Sequence, residues 1–102
     1  MKKVYIIGKY SDNNVIDVLK NIREGIKVSA RLLKLGYAPF CPWLDHQFLF
    51  YENISLKEFY EYSLKWLEVS DLVLVLPNYK TSGGSLAEIK KAKELGIPIK
   101  YL

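Results

Sequence analysis

Ser82-Gly83-Gly84-Ser85-Leu86-Ala87-Glu88 holds the residues best suited to chemistry in this 102-residue chain. The stretch follows an apolar run, Leu72–Leu76, and opens a helical pattern that ends at Gly96. Glycines and serines at a helix mouth leave backbone N–H groups able to face an anion or another polar ligand. At 100° per residue, Leu86, Ile89, Ala92 and Leu95 fill one half of the helix, and Glu88 falls inside that half rather than with Lys90, Lys91 and Glu94. Ser85 and Glu88 also have capping-box spacing, so the carboxylate is either a helix cap or a working group. Other chemistries lack material. There is no Gly-x-Gly-x-x-Gly, no Gly-Lys-Ser/Thr, one histidine (His46) and one cysteine (Cys41). That leaves carboxylates, tyrosines and hydroxyls, and implies neither a metal site nor a bound cofactor.

These groups must be positioned by strands and helices in alternation. Lys3–Gly8 reads as a buried strand, and the loop Lys9–Asn14 leads into a long amphipathic helix marked by Val15, Val18, Leu19, Ile22, Ile26, Ala30 and Leu33, ending at Gly36. Tyr37–Pro42 is a second short strand. Trp43–Asn53, aromatic and without periodicity, reads as a loop over a site or as ordinary loop packing. Ser55-Leu56-Lys57-Glu58 is a capping box that starts a helix with Leu56, Phe59, Tyr60, Ser63, Trp66 and Leu67 on one face. Asp71–Leu76 is the third strand, Ser85–Leu95 the third helix and Ile97–Leu102 the last strand. The expected fold is a single α/β domain over residues 1–102, a small flavodoxin- or Rossmann-like three-layer sandwich with a parallel sheet of four to five strands and helices on both faces. Ligands of such sheets bind beyond the carboxyl ends of the strands, where strand order reverses. The loops Gly8–Asn14, Cys41–Asn53 and Pro77–Ser85 leave those ends, and the first and third are expected to face each other.

Bulk properties narrow the partners. Half of the residues are hydrophobic and a quarter charged, as in a soluble globular domain, and the net charge is a mild +4. The lysines are dispersed rather than clustered, so no nucleic-acid polymer is expected, although a small phosphorylated ligand is compatible. No apolar run approaches membrane-spanning length, and Met1-Lys2-Lys3-Val4 leads directly into a strand, so neither a span nor a cleaved signal is expected. A lone cysteine suits the cytoplasm.

Three segments in this order, Tyr5-Ile6-Ile7-Gly8-Lys9-Tyr10-Ser11, Leu64–Pro77, and Ser82–Glu88 followed by Ala92 and Leu95-Gly96-Ile97-Pro98, resemble the nucleoside 2-deoxyribosyltransferase superfamily. The likeness runs over nearly the whole chain, is weakest at Trp43–Asn53, and is nearest to small phage and bacterial domains. The 2′-deoxynucleoside 5′-phosphate N-glycosidases are more distant relatives. The resemblance implies that Glu88 attacks C1′ of a deoxyribose, that Tyr5 orients it, and that Ser82, helped by the N–H groups of Gly83 and Gly84, holds a 5′-phosphate. The superfamily's aspartate that acts on the departing base matches Ser63, whose hydroxyl cannot serve as a carboxylic acid. Gly8, Lys9, Tyr10, Asp45, His46 and Ser85 complete the expected substrate-binding set, and Asp45, Asp12 or Glu61 could supply the missing acid. The expected ligand is a small-molecule nucleoside or nucleotide, and a homodimer or larger homo-oligomer is implied. Three readings stand open: an enzyme cleaving or transferring the N-glycosidic bond, a catalytically impaired nucleotide-binding module, and a homodimeric protein-interaction domain.

Overall fold

A computed structural model describes residues 1–102. Strand β1 (Lys3–Ile7) is followed by α1 (Val15–Lys34), β2 (Ala38–Phe40), a 3₁₀ segment (Pro42–Phe50), α2 (Leu56–Glu68), β3 (Leu72–Val75), a 3₁₀ turn (Pro77–Thr81), α3 (Gly83–Glu94) and β4 (Ile99–Tyr101). The four strands form one parallel sheet in the order β2-β1-β3-β4. Strand order therefore reverses at β1, and the loops after β1 and β3 leave the same edge side by side.

Period-two alternation sorts the strand side chains between two cores. Tyr5, Ile7, Val73 and Val75 pack with Leu67 of α2 and with Ile89 and Ala92 of α3. Ile6 points to the opposite face and joins Val28 of α1, Cys41, Trp43 and Leu76. The result is the expected sandwich with helices on both faces, with four strands. Asp71 ties the sheet at its other end: its carboxylate accepts from the Lys3 N–H at 2.8 Å.

The helix ends follow local rules. Asn14 and Ser55 cap α1 and α2 by accepting from the N–H groups of Asp17 and Glu58. Gly36 (φ 93°) and Gly96 (φ 71°) close α1 and α3. In each case the glycine N–H bonds one carbonyl of the last turn (Leu33, Lys93) and the next residue bonds another (Leu32, Ala92), a pattern that needs the left-handed backbone glycine supplies.

Two details depart from the sequence reading. In α1 the buried residues are Asn21, Gly25 and Val28, while Val15, Leu19, Ile26 and Leu33 of the apolar stripe are exposed. The helix is rotated because Trp43 docks against it at the one position without a side chain. A Cβ on Gly25 would lie 2.6 Å from the indole Nε1 and 2.8 Å from the Cys41 Sγ. The segment expected to be an irregular loop is instead the 3₁₀ stretch begun by Pro42, with Trp43 buried as its anchor. No helix is long and apolar enough to cross a membrane.

Candidate functional site

A cleft of about 470 Å³ opens at the carboxyl edge of the sheet, lined by the β1–α1 loop, the start of the 3₁₀ segment, α2 and the mouth of α3. Of the expected residues, Gly8, Lys9, Tyr10, His46, Ser63, Ser82, Gly83, Gly84, Ser85 and Glu88 all line it. Tyr5 lies beneath, fully buried, and reaches the cleft through Glu88. Asp45 is not part of the lining: its carboxylate accepts from the Tyr62 hydroxyl at 2.7 Å.

Glu88 is not a helix cap. Ser82 is the N-cap of α3, its Oγ accepting from the Ser85 N–H at 3.2 Å, so the helix begins three residues earlier than its serine-glutamate spacing predicts. The buried arc is Ser85, Ile89 and Ala92, with Leu86 and Leu95 exposed, and Glu88 stands at the edge of that arc where it meets the cleft. There its carboxylate accepts a hydrogen bond from the Tyr5 hydroxyl. Burial pushes the Glu88 carboxyl up to about 7, and the Tyr5 hydrogen bond pulls the other way by favouring the ionised form. Burial, reinforced by the Glu88 charge, drives the Tyr5 phenol far above its usual range, so it acts as a donor and never as a phenolate; Ser63 opposes that rise. Tyrosine and glutamate are thus bonded from β1 to α3, and Ser63 of α2 lines the same cleft.

The mouth of α3 is open. Nothing lies within 4 Å of where a Cβ would stand on Gly83 or Gly84, and their N–H groups, in the first helical turn, have no intrahelical partner. Ser85 is buried against the cleft, with no hydrogen-bond partner for its Oγ. Donors and helix dipole together favour a negative group there.

His46, also in the cleft lining, lies edge-on to Tyr10 (centroids 4.2 Å apart) and tilted on Phe59 (4.7 Å). Its Nδ1 is buried without a partner. Burial lowers the imidazole below its ordinary value, against an opposing pull from the Asp45 charge. The buried Cys41 thiol is pushed up to about 12 by desolvation and is an inert packing group. No group of three His, Cys, Asp or Glu side chains lies close enough to hold a metal ion.

Sequence reasoning missed the residues that fix the cleft rim. Asn21, buried in α1, donates from Nδ2 to the Tyr10 carbonyl (3.1 Å) and the Asp12 carboxylate (3.3 Å). Its own side-chain carbonyl accepts from Asn78, and its backbone carbonyl accepts from the Trp43 indole at 3.1 Å. Asn78 in turn accepts from the Lys9 N–H at 3.0 Å, bridging the loops after β1 and β3. Gly8 is held close as well: a Cβ there would sit 2.8 Å from the Trp43 ring. An asparagine in mid-helix, a type that competes with helical hydrogen bonds, was the available signal for Asn21.

The profile of the family described as "Domain of unknown function (DUF7768)" matches residues 2–102. The chain belongs to that family. No curated protein matches the chain. Among solved structures, this member of the family is similar to the 2-deoxyribosyltransferase of the psychrotolerant bacterium Bacillus psychrosaccharolyticus, with a TM-score of 0.70 and 18% identity over 97% of this chain and 70% of that one. It is also similar to the 2-deoxyribosyltransferase of Leishmania mexicana, with a TM-score of 0.74 and 14% identity over all of this chain and 64% of that one. At such identities the likeness is one of fold: the family member has a nucleoside 2-deoxyribosyltransferase-like fold, within a shorter chain.

Proposed function

We propose that this protein binds a nucleoside or nucleotide and cleaves or transfers its N-glycosidic bond, with Glu88 as nucleophile. The observation that carries the reading is the Tyr5–Glu88 hydrogen bond at the base of an open cleft. A carboxylate placed there, partly withdrawn from water and oriented by a phenol, suits attack on a sugar carbon that develops positive charge. In the first step a Glu88 oxygen bonds to C1′ as the C1′–N bond breaks, its electron pair leaving with the base. In the second step water or a second base displaces the carboxylate. The Tyr5 hydroxyl keeps one carboxylate oxygen oriented throughout, and developing positive charge at C1′ favours the ionised form of a carboxyl poised at about 7. The open N–H groups of Gly83 and Gly84, with the Ser82 and Ser85 hydroxyls, suit a 5′-phosphate.

The fold likeness to deoxyribosyltransferases supports the same substrate class. Exposed Phe50, Tyr51 and Leu56 support a homodimer or larger homo-oligomer, which sedimentation tests, and the free Cys41 suits the cytoplasm. Incubation with each 2′-deoxynucleoside and its 5′-monophosphate is expected to release free base from at least one of them, and Glu88→Ala is expected to abolish release. Base release that survives this substitution rules out the nucleophile.

One observation favours a second reading, a nucleotide-binding module without chemistry: Ser63, beside Tyr5 in the cleft wall, is not an acid. That reading predicts a ligand-induced rise in melting temperature with no base release.

A further inference from the structure

Breaking an N-glycosidic bond leaves an electron pair on the base, and most bases depart well only when a proton arrives with it. The carboxylates that could supply that proton are all committed elsewhere. Asp45 is bonded to Tyr62. Asp12 lies 3.5 Å from the Lys9 ammonium and accepts from Asn21. Glu61 is solvent-exposed on α2, 3.9 Å from Lys57. None of the three lines the cleft. The ionisable side chains that do are Lys9, Tyr10, His46, Tyr60 and Glu88. Among these types only imidazole ordinarily changes charge between pH 5 and 8.

His46 is also placed for the task. Its ring leans on Phe59, which sits one turn before Ser63 on the same face of α2, and both residues line the cleft with it. Tyr10 holds the ring edge-on from the β1–α1 loop. With Nδ1 shut into the wall and no hydrogen bond to the side chain, Nε2 is left as the nitrogen a ligand can reach.

We infer that His46 is the proton donor to the departing base, an inference that rests on the glycosyl-transfer reading above. Imidazolium Nε2–H passes its proton to the base as the C1′–N bond breaks toward the base and the Glu88 oxygen bonds to C1′. Neutral imidazole then takes a proton from the attacking water as the water oxygen replaces Glu88 on C1′. Burial disfavours the charged ring, so it gives its proton up readily.

The test compares two leaving groups in wild type and His46→Phe, a variant that keeps an aromatic ring against Tyr10 and Phe59. His46→Gln runs in parallel in case the first variant does not fold. One substrate is the 2′-deoxynucleoside or monophosphate from which wild type releases most base. The other is 4-nitrophenyl 2-deoxyriboside, whose leaving group departs as a stable anion without a proton. Measured in the first turnover, before water resolves the glycosyl-enzyme, loss of His46 is expected to slow base release by about 10²–10⁴-fold and nitrophenolate release by no more than a few-fold. Equal losses on both substrates, or none on either, overturn the assignment. So does a wild type that releases nitrophenolate but no base, although the glycosyl-transfer reading then survives. A wild type inert toward both substrates removes that reading, and the assignment with it.

Discussion

Replacing Tyr5 with phenylalanine tests the Tyr5–Glu88 pair without depending on any substrate. The ring stays in its core site, packed on Phe40 at 5.6 Å, and only the hydroxyl that donates to Glu88 is lost. A hydrogen bond to a charged group is worth about 1.5–3 kcal/mol, and 1.36 kcal/mol corresponds to one pKa unit. The Glu88 carboxyl, at about 7 in the intact protein, should therefore rise by roughly one to two units. At pH 7 the ionised fraction then falls from about a half to between roughly a tenth and a hundredth, a 5- to 50-fold loss of the nucleophilic form. Carbon-13 NMR of protein labelled at the glutamate carboxyls follows the titration directly, with Glu88→Gln identifying the resonance. If the proposed activity is present, base release at pH 7 should drop by a similar factor and recover as pH is raised. A Tyr5→Phe titration midpoint equal to or below that of wild type would refute the argument that the phenol holds the carboxylate in its ionised form.

The same carboxyl makes stability depend on pH. Its folded value of about 7 lies above the ordinary 4.5, so the stability it contributes is complete below pH 4.5 and is lost as pH rises through 7. That loss is about 3 kcal/mol. Glu88→Gln should remove it, making the variant more stable than wild type above pH 7 by up to that amount and no more stable at pH 4.5; parallel denaturation curves across this range would contradict the shift. Gly25→Ala, which in an exposed helix would be stabilising, should here cost about 1–3 kcal/mol in urea denaturation, because the new methyl meets the Trp43 indole and the Cys41 sulfur. A variant as stable as wild type would show that α1 and the indole have room to separate.

Much of the fold was legible because strand runs, helix caps and closing glycines are local signals. Lys3–Ile7, Leu72–Val75, Ser55 and the two glycines at helix ends, Gly36 and Gly96, needed no tertiary information. The phase of the helices was less legible. Val15, Leu19, Ile26 and Leu33 form a better apolar stripe than Asn21, Gly25 and Val28, yet the second set is buried, because a distant tryptophan needs the space above a glycine. The serine at Ser85 imitated a cap for Glu88, whereas the helix was already capped by Ser82. Residue types placed the open glycines within reach of inference, and the family resemblance alone implied that Tyr5 serves Glu88. The separation of Asp45 from the cleft and the role of Asn21 depend on which partners the fold brings near, and neither leaves a mark at fixed spacing.

Asn21 has a mechanical consequence. Through its two polar ends and its backbone, one residue is bonded to the loop after β1, to Asn78 after β3 and to the indole that anchors the 3₁₀ segment. Three separate rims of the cleft thereby become one cooperative unit. Opening any of them strains the other two, so the entrance breathes as a single body, and protons on the Lys9 amide and the Trp43 indole should exchange with solvent at a common rate.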